Sequence, residues 1–377
     1  MNVRRVRAVA WKECLHVARD PRALGVGVAI PVLLLLLFGY ALTLDVDRVP
    51  LAVWDQSRSA ASREILSRFG GSRYFVLLPP ASGYGELERA LDRREAVLAL
   101  VVPSNFGRLA GTGRAARLQV IADGSDPNTA ALAMNYARAV VDGYSADLLL
   151  ERVRRAGAAA PRVPLDLRVR VWFNAGLESR LFIVPGLIAV IMMIIGGMLT
   201  SLTIAREWET GTMEQLISTP VRPAEIVAGK LVPYFALGFF DLALSVASGR
   251  WLFGVPIRGS LLVLLAFSSV FLAGALGLGL LVSAVAKRQL LAGQLAFVVT
   301  FLPGFLLSGF MTDTANMPAA LQLLSHAVPA RYMVTLLRSL YLKGLGPGAL
   351  AGEGLFLLAF TALVLALSVG ALKKRIG

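Results

Sequence analysis

The sequence predicts an α-helical membrane protein with six transmembrane helices and a mixed α/β domain inserted between helices 1 and 2. Three observations lead to this class. First, 56% of the 377 residues are hydrophobic and only 16% are charged, which is outside the range of ordinary soluble domains. Second, five stretches without a charge exceed the roughly 18 apolar residues that a spanning helix needs. Third, the long insert at residues 45–180 has the alternating strand and helix pattern of a folded domain.

The first membrane helix is predicted at residues 24–44. Its apolar run is too long for a secretion signal, and no small-residue cleavage site precedes Asp45, so we expect it to be retained as an anchor. Only one of the predicted spans, residues 231–253, contains charged residues, namely Asp241 and Arg250. The spans after the insert form a five-helix domain over residues 181–372, at 181–204, 231–253, 261–286, 290–310 and 354–372.

The distribution of Lys and Arg predicts the orientation, because positive residues in short loops resist translocation. With the N-terminus inside, the inner segments hold fourteen basic residues and the short outer loops hold four. We therefore expect a cytoplasmic N-terminal segment (1–23), a cytoplasmic loop (205–230) and a cytoplasmic tail (373–377), with residues 45–180 outside. The net charge of +14 then mainly reflects topology, together with an arginine-rich outer domain. Nucleic-acid binding is not indicated, because no basic stripe is interleaved with aromatic residues.

The outer insert is predicted to contain four strands and three helices. Asp126 followed by Pro127 is typical of an N-cap and a first helical residue, and it predicts a long helix that ends near residue 155. A segment rich in Ala, Gly and Pro at 156–164 then breaks the helix. The strands are predicted at 49–54, 74–78, 96–102 and 118–122, and the shorter helices at 60–69 and 84–93.

The N-terminal segment is predicted to be an amphipathic helix along the inner leaflet. A solvated basic tail that only fixes the topology is the alternative. The pattern places Val3, Val6, Ala10, Cys14 and Val17 on one face and Arg5, Lys12 and His16 on the other.

No catalytic, cofactor-binding or metal-binding constellation is predicted. The two histidines, His16 and His326, fall on opposite sides of the membrane, and with the single Cys14 they provide too few metal ligands. No Walker A loop occurs, so ATP hydrolysis must come from another subunit. Asp241 is a candidate for the translocation path or gating, because a carboxylate at bilayer depth is costly; a structural hydrogen bond to a neighbouring helix is the alternative.

Several motifs, in this order along the chain, resemble those of the permease subunits of type-2 ABC exporters, especially the bacterial multidrug-efflux branch. The longest is residues 207–220, similar to Glu-x-Glu-x-Gly-Thr-x-Glu-Gln-Leu-x-x-Thr-Pro. The resemblance covers essentially the whole chain. The other motifs are Arg19-Asp20-Pro21-Arg22, residues 38–42, residues 123–128, Gly229-Lys230-Leu231 with Pro233-Tyr234, and Pro329-Ala330-Arg331-Tyr332 in an outer loop.

The resemblance implies a permease that dimerises, as a homo- or heterodimer, with each copy contacting a cytoplasmic ATPase that binds ATP and magnesium. Residues 205–220 would be the helix that couples the two proteins, although an amphipathic helix that merely shields the bundle is the alternative. We expect an apolar surface for a partner groove from Trp208, Met213 and Leu216. The implied coupling residues are Glu207, Trp208, Glu209, Gly211, Thr212, Glu214, Gln215 and Leu216.

The expected activity is outward movement of a lipophilic substrate, such as a drug or a lipid, across the cytoplasmic membrane of a bacterium. A periplasmic adaptor could dock on the outer domain. Two alternatives belong to other classes. One is a membrane-anchored sensory or assembly protein whose outer domain binds a ligand. The other is a membrane enzyme that uses Asp241, which is disfavoured because no second acid, histidine or metal ligand lies in another span.

Overall fold

A computed structural model describes residues 2–41, 48–112, 114–155, 172–174 and 178–372. The chain forms two compact units, one made of Met1–Thr43 with Val171–Gly377 and the other of Leu44–Arg170. The predicted break at 156–164 and the tail at 373–377 lie outside the described residues.

The first unit is helical. Within the described residues, five helical stretches are long and apolar enough to cross a membrane, and Gly27–Tyr40 is a shorter apolar stretch. Its longer helices are α1 (Val3–Arg19), α2 (Pro21–Ala41), α7 (Ser179–Ser201), α10 (Pro223–Trp251), α11 (Leu261–Ala286), α12 (Gln289–Leu306) and α15 (Ala351–Ala371). The shorter ones are α8 (Thr203–Glu209), α9 (Thr212–Ser218), α13 (Ala319–Ser325) and α14 (Pro329–Arg338).

Helix α10 begins eight residues before the predicted start of its span. Pro223 occupies the first turn, where its missing N–H costs nothing. Glu225 caps this turn by accepting a hydrogen bond from the Arg222 N–H at 3.0 Å. Hydropathy alone starts the span after Lys230. The helix nevertheless includes Lys230, because the charge of this residue is paired inside the protein, as described below.

Helix α7 lies at the centre of the first unit and packs on α2, α10, α11, α12 and α14. Small residues allow α11 to approach it closely: a Cβ atom placed on Gly279 would lie 2.1 Å from the Gly197 carbonyl oxygen, and one on Gly196 would lie 2.8 Å from Ala275 Cβ. Thr200 Oγ1 also donates to the Leu276 carbonyl at 2.6 Å. The small-residue spacing in α11 therefore serves helix packing.

The second unit contains a four-stranded sheet of order β2-β1-β3-β4. Strands β1 and β2 pair parallel, β1 and β3 pair parallel, and β3 and β4 pair antiparallel. All five residues of β3 are buried, as its unbroken apolar run requires. The strands are β1 (Val49–Asp55), β2 (Phe75–Leu77), β3 (Leu98–Val102) and β4 (Gln119–Ala122), each within two residues of its predicted bounds.

The helices of this unit are α3 (Ala60–Gly71), α4 (Tyr84–Asp92), α5 (Phe106–Thr112) and α6 (Pro127–Arg155). Helix α6 has the predicted first residue and the predicted end, and the Asp126 carboxylate accepts from the Thr129 N–H and hydroxyl. Helix α5 was not predicted, because seven residues are too few to show a helical period of apolar positions. Hydrophobic clusters on the sheet, without any cysteine, stabilise the unit.

Candidate functional site

The charged segment after α7 folds into two short helices, α8 and α9, separated by a turn at Thr210 and Gly211. Gly211 has a φ of +72°, in the left-handed region that favours glycine. A Cβ atom built on Gly211 would contact nothing within 4 Å. Backbone conformation, rather than lack of space, therefore requires glycine at this turn.

Hydrogen bonds connect α8 to the membrane helices α11 and α12. The Ser283 hydroxyl of α11 accepts from the Ile204 and Ala205 N–H groups at 3.0 and 2.9 Å. At the other end of α8, the Glu209 carboxylate accepts from the N–H of Gln289 at 2.9 Å and from its side-chain amide. Gln289 is the first residue of α12, so a negative charge lies at the positive end of that helix dipole.

A buried ion network joins α8 to α1 and α10. Lys230 of α10 is only 1% exposed, and its Nζ lies 2.6 Å from Glu13 Oε1 of α1 and 3.0 Å from Glu207 Oε2 of α8. Lys12 of α1 completes the network at 2.8 Å from Glu207 Oε1. The four charges sum to zero, which is the condition under which charged groups are tolerated away from water.

A second contact attaches α1 near the end of the α8–α9 segment. The Asn2 N–H donates to Glu225 at 2.7 Å, and Arg5 lies 3.8 Å from the same carboxylate and bonds the Pro220 carbonyl. A Cβ atom on Gly229 would lie 2.7 Å from Val9 Cβ, so α1 packs closely against α10. Arg5 and Lys12, which the pattern placed on a basic face, therefore pair with acidic groups of the protein.

The expected coupling residues divide into two groups. Glu207 is 5% exposed and paired within the chain. Trp208 and Leu216 pack on a cluster that contains the buried Met213, so the apolar side of the segment faces the bundle and does not offer the expected groove-binding surface. Thr212 is half-buried, and the exposed residues are Glu209, Gly211, Glu214 and Gln215.

A cavity of about 940 Å³ lies beside the ion network, between α1, α7, α8 and α12. Its wall combines charged side chains with the apolar end of α7. Residues that line it include His16, Arg19, Ile195, Met198, Leu199 and Gly293.

Asp241 lies on the buried side of α10 and is 5% exposed. Neither of its carboxylate oxygens has a hydrogen-bond partner among the described residues, and the same holds for the hydroxyls of Ser268 and Tyr341. The hydrogen bond to a neighbouring helix, which was the alternative for Asp241, is therefore not seen among the described residues of this chain. Within the described residues, no group of three or more His, Cys, Asp or Glu side chains could hold a metal ion.

Arg331 and Tyr332 of the predicted outer loop make contacts that stabilise the connection between α13 and α14. Arg331 donates to the Ser325 hydroxyl at 2.5 Å and lies 3.0 Å from His326 Nδ1. The Tyr332 hydroxyl donates to the His326 carbonyl at 3.1 Å, and its ring stacks on Phe356 of α15 with centroids 3.8 Å apart. The geometry gives both residues a role in holding this corner.

Sequence reasoning missed the residues that hold the segment in place, namely Glu13, Lys230, Ser283 and Gln289. The sequence contained a signal for Lys230. This residue is a charge at the edge of an apolar run, and it belongs to the Gly229-Lys230-Leu231 motif. No local pattern identifies its partner Glu13, which is 217 positions away.

Comparison with known proteins gives a consistent result. Residues 23–369 match the family model described as ABC-2 family transporter protein. The probable multidrug ABC transporter permease YbhS of Escherichia coli K12 is 37% identical over 377 residues, covering 100% of this chain and 98% of the relative. YbhR, a second probable multidrug ABC transporter permease of the same organism, is 33% identical and covers 88% of each chain. The inner membrane transport permease YhhJ is 26% identical, covering 88% of this chain and 87% of the relative.

Proposed function

Because the chain belongs to the ABC-2 family of transporter proteins, we propose that it is the permease of an ATP-driven exporter that moves a lipophilic substrate outward. The family assignment makes it a multi-pass protein of the inner membrane and not itself an enzyme, since the ATPase is a separate subunit. Permeases of this family work with a cytoplasmic ATPase and dimerise. The substrate class, the direction of transport and the docking site are the proposed parts.

The proposed topology has six spans, with α2 as the first, both termini in the cytoplasm, and the unit Leu44–Arg170 outside. The excess of basic residues in the segments assigned to the inside supports this orientation. The ion network supports it as well, because it brings the N-terminal helix α1 to the same end of the bundle as α8 and α9. A periplasmic adaptor, if one exists, would bind the outer unit.

The observation that carries the coupling proposal is the attachment of α8 to four helices. The exposed residues Glu209, Gly211, Glu214 and Gln215 would contact the ATPase, which holds ATP and magnesium. Glu207 and Trp208 would instead transmit its movement, through the ion network and through packing. A shift of α8 would pull on α10 through Lys230 and on α12 through Gln289, and it would alter access around α7.

The proposed substrate is lipophilic because the helices that would line a path are almost entirely apolar. The names of YbhS and YbhR associate those proteins with multidrug transport, and we extend this association to the present chain. Asp241 would act in the path or in gating, because it is the one acidic group in the middle of α10 and its carboxylate has no partner in the described part of the chain.

Site-specific photocrosslinking tests the docking proposal. A photoreactive residue at Gln215 should crosslink the full-length protein, in native membranes, to a subunit with ATPase activity after purification. The same probe at Glu88, an exposed residue of α4 in the other unit, is the matched control. Crosslinking at Glu88 but not at Gln215, or purification without any ATPase, would refute the proposal and favour the sensory or assembly alternative.

A further inference from the structure

Helix α1 has a second face that nothing in the described structure covers. Arg4, Arg7, Trp11 and Leu15 follow one another at intervals of three or four residues, so they share one side of the helix. All four are exposed, with Trp11 at 65% and Leu15 at 38%. We call this set the outward face of α1, and it lies opposite the side that holds Val9 and Glu13.

The composition and position of the outward face fit a bilayer surface. A tryptophan and a leucine preceded by two arginines on the same face fit a helix in the headgroup region, where rings and aliphatic groups reach the acyl boundary and guanidinium groups remain hydrated. Asp20 alone separates α1 from α2. Helix α2 exposes an apolar side to its surroundings with Leu33, Leu36 and Leu37. The outward face of α1 therefore belongs to a helix that leads directly into an element whose exposed apolar side requires lipid.

The charge on this face is only positive. The single acidic residue of α1, Glu13, is buried in the ion network, and no acidic side chain in the described part of the chain pairs with Arg4 or Arg7. Arg5 and Lys12, on the inward side, already have Glu225 and Glu207 as partners. Two guanidinium groups without an acidic partner among the described residues, beside an exposed tryptophan, favour lipids with a net negative headgroup over zwitterionic ones.

We propose that the outward face of α1 binds anionic lipid headgroups, and that this binding steadies the segment of α8 and α9. The second part follows from the inward face, because Lys12 pairs with Glu207 of α8, Glu13 pairs with Lys230, and Asn2 and Arg5 contact Glu225. A lipid that fixes α1 therefore also restrains α8 and the start of α10, which follows the segment. Only this second part rests on the proposed coupling to an ATPase.

Lipid-dependent quenching tests the binding. Ala8 lies on the same exposed side, so an environment-sensitive fluorophore on A8C, in a C14A background, reports lipid contact without altering the four binding residues. The full chain is placed in nanodiscs that contain brominated phosphatidylglycerol or brominated phosphatidylcholine. We expect phosphatidylglycerol to bind preferentially, and the preference to fall roughly fivefold for each arginine removed in R4Q and R4Q/R7Q.

The variant R89Q/R93Q, which removes two exposed arginines from the other unit, is the matched control and should keep the full preference. Equal quenching by the two lipids in the unaltered protein would overturn the proposal. Loss of all lipid quenching when the co-purifying ATPase is bound would also overturn it, because the face would then be a protein interface.

The second part is measured on the complex with its ATPase. Phosphatidylglycerol should raise the substrate-stimulated ATPase rate, and R4Q/R7Q should abolish that rise. Lipid preference without any effect on the ATPase rate would overturn the steadying role and leave the binding site in place. Absence of any associated ATPase would contradict the proposed function, and the quenching result would be unaffected.

Discussion

Replacement of Lys230 by methionine should strongly destabilise the protein, because Lys230 is the cation that two buried carboxylates share. Glu13 is 3% exposed and Glu207 is 5% exposed. In K230M, the remaining partner of Glu13 among the described residues is the Tyr234 hydroxyl at 3.5 Å, whereas Glu207 keeps Lys12 at 2.8 Å. Removal of one partner from a buried ion pair costs about 3–5 kcal/mol, most of it for the charge left without compensation.

Two further variants separate the charge effect from loss of the side chain. The double variant E13Q/K230M leaves the Lys12 and Glu207 pair intact and returns the network to zero charge, so it should recover most of the lost stability. The variant K12M also leaves one excess negative charge. Its side chain is 39% exposed, however, and Glu207 retains Lys230, so we expect a cost of about 1 kcal/mol or less.

The free energy of unfolding is measured by SDS titration in mixed micelles, with helix content as the signal. The order of stability should be unaltered protein, K12M, E13Q/K230M and then K230M. The reasoning is refuted if K230M is as stable as K12M, or if E13Q/K230M is no more stable than K230M alone.

Three further outcomes are expected. Gly279→Leu should lower the free energy of unfolding by about 3 kcal/mol or more in the same assay, because α11 can no longer approach α7. The control Gly370→Leu, with nothing within 4 Å of its Cβ position, should be neutral. Equal effects of the two variants would contradict the packing argument. Glu209→Lys should leave the protein inserted but lower substrate-stimulated ATPase activity of the complex, because it places a positive charge at the start of α12 beside Gln289; a normal rate would count against coupling through this contact. Asp241→Asn should raise the free energy of unfolding by on the order of 2 kcal/mol, since it removes an ionisable group that has no partner among the described residues. A loss of stability would show that the carboxylate has a favourable partner in the membrane.

Local signals in the sequence predicted much of the fold. Helix α11 lies at residues 261–286 as predicted, because its apolar run ends at Lys287 and the helix ends with it. Helix α6 begins at Pro127, where a capping residue and a proline with fixed φ act on their immediate neighbours. Helix α10 begins eight residues before the predicted span, because a hydropathy window cannot recognise a lysine whose charge is paired.

The candidate site was predictable in location but not in orientation. The charged residues of 205–220 interrupt the apolar segments, and this pattern can be read directly from the sequence. Which side of the segment faces the bundle depends on packing against residues such as Ile226 and Leu280. The structure consequently turns Trp208 and Met213 inward, where the sequence analysis had them facing a partner.

The class of the protein, most of its helix positions and the place of the charged segment follow from the sequence alone, since hydropathy, capping and chain breaks act over a few residues. The pairing of the charges depends on the folded chain. Lys230 meets Glu13 and Glu207 across 217 and 23 positions of chain, and a charge without such a partner would not be tolerated there. The same packing that buries this network leaves Arg4, Arg7 and Trp11 on the exposed side of α1, where a lipid surface can contact them.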